Sequence, residues 1–131
     1  MPIPACKCGC GLWAIAPKML TIAELLELEF PDDIIWTSGS RCPIHNASPQ
    51  VRGSETSGHL AIWGDNGIES VALDWTLRIW NPYRAREVCR CAVKWGARGI
   101  GYMPDDEAGH IDLKPRTAWW IVKDGKIEYF F

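Results

Sequence analysis

Apolar residues first recur at helical spacing between residues 21 and 29, where Ile22, Leu25 and Leu26 share one face. Thr21 and Glu24 have the spacing of a capping box, which predicts a helix opening there and running to about Glu29. Pro31-Asp32-Asp33 should end it, and Ile34-Ile35-Trp36-Thr37, β-branched and aromatic, reads as a short strand. Ser, Gly, Pro, Asn and Arg dominate residues 38–58, which predicts loop or short helix. Residues 71–75 have the continuous apolar character of a buried strand. Asn81-Pro82 predicts a helix start, with Asn as cap and Pro in the first turn, and Gly96 a stop after residue 95. Strands are expected over residues 99–103, 110–113 and 118–123, the last turning through Asp124-Gly125 into residues 127–130. With no internal repeat and most strands in the second half, the order predicts an α+β fold.

A chain of 131 residues suits one domain, taken as residues 1–131. At 47% hydrophobic and 23% charged it should fold as a globule. Its eight tryptophans are read mainly as core. A net charge of −2 argues against nucleic acid as a partner. The basic stretch from Arg78 to Arg98 reads as a solvated helix face. No apolar run reaches the length of a membrane span and no signal-like start is visible. The expectation is therefore a protein made in the cytoplasm without a signal peptide, with no membrane insertion. Cysteines stand at 6, 8, 10, 42, 89 and 91. The C-x-x-C pairs of a zinc ribbon are absent, which weakens a structural-zinc reading of the cysteines. Cys6, Cys8, Cys10 and Cys42 should still lie near one another, because the opening segment must pack beside the loop leaving the first strand.

Histidine occurs three times, at 45, 59 and 110. A hydrolytic zinc site needs three protein ligands and an open fourth position, a carboxylate to take a proton and a cationic donor for the oxyanion. His59, Asp74 and His110 can supply ligands, Glu107 a base and Arg41 a donor, although composition alone does not single them out.

The segment Thr37-Ser38-Gly39-Ser40-Arg41-Cys42-Pro43-Ile44-His45-Asn46 resembles the S-G-x-R-C-P-x-H-N signature of zinc D-Ala-D-Ala carboxypeptidases and related phage endolysins. Ser57-Gly58-His59 followed by Ala72-Leu73-Asp74 is similar to the family's S-x-H-x-x-G-x-A-x-D motif. Gly99-Ile100-Gly101-Tyr102-Met103-Pro104 and His110-Ile111-Asp112 resemble its G-I-G-x-Y-P and H-x-D block, and Arg116 and Trp119 fall where the family would have them. The cysteine-rich opening followed by Gly11 is similar to small phage members. The resemblance spans roughly residues 6–120. It implies the fold these peptidases share with the hedgehog signalling domain, a small antiparallel sheet with helices packed on one side. It also implies Zn2+ held by His59, Asp74 and His110, Arg41 on a substrate oxygen, Glu107 as base, and His45 supporting the Arg41 loop. The implied substrate is a peptide of the bacterial cell-wall peptidoglycan.

Two departures leave alternatives open. The family's His and Asp ligands are seven positions apart, whereas His59 and Asp74 are fifteen apart, so residues 61–70 look like an insertion forming a hairpin or flap, with Ser70 where the motif has glycine. Asp65, six after His59, is the rival ligand. Asp105, Asp106, Glu107 and Asp112 crowd His110, so Asp112 competes with Glu107 as base, although orienting His110 suits it better. The leading expectation is a monomeric zinc metallopeptidase acting on the cell wall, reaching it by phage-mediated release. A catalytically silent zinc-binding module of the same fold is the alternative. A structural metal site at Cys6-x-Cys8-x-Cys10 with Cys42, on a non-enzymatic protein, is a third.

Overall fold

The computed structural model describes residues 2–130. Its elements run α1 (Pro17–Glu29), β1 (Ile34–Ser38), α2 (Pro43–Asn46), β2 (Ala72–Leu77), α3 (Pro82–Lys94), β3 (Gly99–Met103), a 3-10 turn (Pro104–Asp106), β4 (Ala108–Asp112), β5 (Ala118–Lys123) and β6 (Lys126–Tyr129). The predicted α+β class holds. The six strands form one sheet ordered β1-β2-β4-β3-β5-β6. Every neighbouring pair is antiparallel except β3 and β5, which run parallel.

Alternation along β2 and β4 divides the sheet into two faces. Leu73, Trp75 and Leu77 of β2 join Ile111 of β4 and Ile100 and Tyr102 of β3 in a core closed by Met19, Ile22, Ala23 and Leu26 of α1 and Ala85, Val88 and Ala92 of α3. Ala72, Asp74 and Thr76 alternate to the other face, with His110 and Asp112 beside them. The fit on the core side is close. A Cβ on Gly109 would stand 2.2 Å from the Trp75 ring, so only glycine admits that indole between the sheet and the helices.

Asn81 caps α3 as expected, its Oδ1 accepting from the Tyr83 and Arg84 amides, and Gly96 follows the helix at φ 110°. The start of α1 differs. It begins at Pro17, so Thr21 lies inside the helix with its hydroxyl donating to the Pro17 carbonyl instead of capping. Proline at the first helical position needs no donor partner, which lets the helix open without a polar cap. Leu25 is only half-buried, while Met19 and Ala23, one turn or so earlier, share the buried face. Trp36 and Trp75 are buried and Trp63, Trp80 and Trp95 pack against the core, but Trp13 and Trp119 are exposed.

Residues 61–70 make the expected hairpin. Trp63 and Glu69 exchange backbone hydrogen bonds of 2.8 and 2.9 Å around Gly64 and Gly67, both at positive φ. No helix among the described residues is long and apolar enough to cross a membrane.

Candidate metal centre

Asp74 and His110 are directly opposite one another on β2 and β4. Antiparallel pairing therefore sets their side chains side by side on the face away from the helices. Beside Asp74 the β1 ladder slips by one residue between Trp36 and Ser38. Such a bulge bends its strand, and here it leads the chain into Gly39, Ser40 and Arg41. His59 comes from the irregular segment before β2. The Arg41 amide donates to the His59 carbonyl at 2.8 Å and the Val71 amide to the Gly58 carbonyl at 2.8 Å, which fixes that segment between the two.

The three side chains converge. His59 Nε2 stands 3.2 Å from Asp74 Oδ2, His110 Nδ1 stands 2.9 Å from Asp74 Oδ1, and the two imidazole centroids are 5.4 Å apart. One donor atom from each lies within 4.8 Å of the others, close enough for these residues to hold a metal ion. The outer nitrogen of each ring is already committed. His59 Nδ1 donates to the Gly39 carbonyl at 2.7 Å, which turns Nε2 inward toward Asp74. His110 Nε2 donates to Asp112 Oδ2 at 2.8 Å, which aims Nδ1 at the same centre. Metal-ligating imidazoles are oriented in this way, so the donor set fits a transition metal in both chemistry and tautomer. His59 is buried, but the Asp74 side chain retains 31% exposure, so the centre is open to solvent on the carboxylate side. No fourth His, Cys, Asp or Glu joins the group among the described residues.

Charge follows the same geometry. Burial would raise the Asp74 pKa, but the charge of His59 and the hydrogen bond from His110 hold it well below the usual carboxylate range. Burial would lower that of His110, yet its bonds to Asp112 and Asp74 outweigh this and raise it to about 9. At neutral pH the ring carries a proton that an incoming metal must displace.

Asp112 has no free valence. Oδ1 accepts from the Lys114 amide at 3.0 Å and Arg116 Nη1 at 2.6 Å, while Oδ2 accepts from His110 and from Arg116 Nη2 at 2.9 Å. Burial opposes its ionisation, but those partners keep the carboxyl well below its ordinary range. It therefore holds the His110 ring in place. Gly99 makes room for it, since a Cβ there would sit 2.2 Å from Oδ2.

Arg41 lies at the rim, with Nη2 3.3 Å from Ser57 Oγ and Nε buried without a hydrogen-bond partner. Burial lowers its pKa, and the charge of Asp74 works the other way. Asp65 is exposed in the hairpin and takes no part in the group, so of the two candidate ligands Asp74 is the one brought to the histidines. His45 also lies outside it. Glu107 stands exposed just before β4 at φ 50°, its carbonyl accepting from Thr76 Oγ1 at 2.5 Å, and it too is outside the three-residue group. Sequence reasoning missed Trp120. Its indole lies 5.2 Å from the His110 ring, over Gly101, where a Cβ would come within 2.8 Å of it. Glycine in a strand marks just such a close approach.

No protein-family model, no curated protein and no solved structure matches the chain.

Proposed function

We propose that this chain is a zinc-dependent peptidase that hydrolyses peptide bonds of bacterial peptidoglycan stems. The observation that carries the reading is a three-donor centre with both outer ring nitrogens held and one side open to solvent. A closed structural site would have four protein ligands, whereas a hydrolytic one keeps a position free. Zinc bound there would supply Lewis acidity and an acidified water at neutral pH. His59, Asp74 and His110 hold and orient, and Asp112 with Arg116 fixes the His110 ring. Arg41, whose guanidinium feels the charge of Asp74, would bind a substrate carbonyl or terminal carboxylate and stabilise negative charge on it. Glu107, three residues before His110, would receive the proton. The motif order from Ser38 to Trp119 supports the peptidoglycan substrate and action at the cell wall.

The place of Glu107 favours a second reading. A candidate base that stands exposed to solvent, with no side-chain bond to the centre, suits a catalytically silent zinc-binding recognition module of the same build. Zinc-loaded protein incubated with purified peptidoglycan separates the two. Release of D-Ala or soluble stem peptides, abolished by a chelator and restored by zinc, is the expected result. Binding without release at full zinc occupancy selects the recognition module, and neither binding nor release rejects both.

A further inference from the structure

Cys6, Cys8, Cys10 and Cys42 make a second cluster, apart from the His and Asp group. Their sulfurs all lie within 4.8 Å of one another, with Cys6 to Cys8 and Cys8 to Cys42 both at 3.5 Å. Cysteines at alternate positions of an extended strand would be spaced about 6.6 Å apart. Here the chain curls instead. The Cys6 amide donates to the Leu12 carbonyl and the Gly9 amide to the Cys6 carbonyl, with Gly9 and Gly11 at φ 90° and 80°. Those left-handed positions are open to glycine at no steric cost, and they turn three thiols toward one point. Cys42 arrives from the loop after β1, where it caps α2.

Two backbone amides already point at sulfur, Cys42 N to Cys6 Sγ at 3.3 Å and His45 N to Cys42 Sγ at 3.4 Å. Four ligands tetrahedrally placed at about 2.3 Å from one ion stand about 3.8 Å from one another, which matches the observed spacing. A cluster of several irons spreads its cysteine sulfurs wider. Cys8 and Cys10 are exposed and Cys42 is half-exposed. Exposed free thiols are oxidation-prone, and a bound ion would give these a structural role.

We infer that Cys6, Cys8, Cys10 and Cys42 hold one structural zinc ion, separate from the open centre, that ties the opening segment to the loop presenting Arg41. The site lacks the C-x-x-C pairs of a ribbon because a glycine turn does the work of that spacing. Cys42 adjoins Arg41, whose amide bonds the His59 carbonyl at 2.8 Å, so the ion would fix the loop that holds the His59 segment.

Titration of the reduced, metal-free full chain with Co2+ tests this. The wild type should develop the intense near-ultraviolet sulfur-to-cobalt charge-transfer band, saturating at about one thiolate-bound ion per chain. The His59→Ala/His110→Ala double variant should keep the band, and Cys8→Ser/Cys10→Ser, which alters only exposed thiols, should lose it. Zinc content should fall by about one ion per chain in each double variant. If the peptidase reading fails because the histidine centre binds nothing, the band and its loss in the cysteine variant still stand. No charge-transfer band in the reduced wild type, or a band that survives Cys8→Ser/Cys10→Ser, overturns the site. Iron in place of zinc in the purified chain overturns the assignment of the ion.

Discussion

Asp112 and Glu107 both lie close to His110 in sequence, but only Asp112 bonds it, and the proposed peptidase gives the two different tasks. Asp112 has spent its oxygens on His110, Arg116 and the Lys114 amide. Asp112→Asn should therefore weaken zinc binding at the open centre about 10- to 100-fold, the usual cost of losing an outer partner of a ligand. Competition with a chromophoric chelator measures it. Glu107 accepts nothing through its side chain from the donor group, so Glu107→Gln should leave zinc affinity unchanged and lower kcat about a hundredfold or more. Should Glu107→Gln keep full activity while Asp112→Asn abolishes it with zinc bound, the roles are reversed. Cys89 offers a contrast between thiols. Burial against the core raises its pKa to about 12. The unfolded thiol ionises near 9, so the proton stays on in the native state through that range. Any stability Cys89 contributes is complete below pH 9 and lost as pH rises toward 12. At pH 8 an alkylating reagent should modify half-buried Cys89 far more slowly in the native than in the denatured protein, and mass mapping of peptides from both will show it.

Among the elements, those with strong local chemistry were readable and those decided by packing were not. Asn81-Pro82 announced α3 because an Asx side chain and a missing amide act within one turn, and Asn81→Ala should cost about 1 kcal/mol in urea unfolding. Thr21 misled because its hydroxyl bonds either forward as a cap or back to a carbonyl, and only the position of Pro17 decides which. Asp124-Gly125 predicted its hairpin correctly, both residues having positive φ between β5 and β6. The parallel pairing of β3 with β5 left no mark in either strand, since each reads as apolar whatever its neighbour's direction. Strand glycines hold more information than the sequence reading drew from them. Gly109→Ala would drive a methyl into the Trp75 ring, and a loss of about 1–3 kcal/mol is expected in the same assay. Gly99→Ala should instead act on the centre, displacing Asp112 and lowering zinc affinity more than stability.

For the molecule as a whole, the A-x-D pattern and its strand context favoured Asp74 over Asp65, and the sheet supplies the reason, because Asp74 stands opposite His110 on β2 while Asp65 lies in the hairpin before it. The roles of the outer partners were less legible. The Gly39 carbonyl that orients His59 belongs to the backbone, and Trp120 reaches His110 only through a pairing that sequence does not reveal. Strand order carries one more consequence. β4 is the last of three consecutive strands, yet it lies between the other two, β2 and β3, and no other ladder joins β1 and β2 to β3, β5 and β6. During synthesis the first half of the chain can pair β1 with β2, but it has no route to the remaining sheet until residues 108–112 emerge. The strand that joins the two halves carries His110. An ion bound by Asp74 of β2 and His110 of β4 would therefore sit across the one seam that joins the two halves of the sheet. A metal that locks this seam opposes separation of the two halves and slows exchange of amides throughout the sheet, well beyond those of one loop.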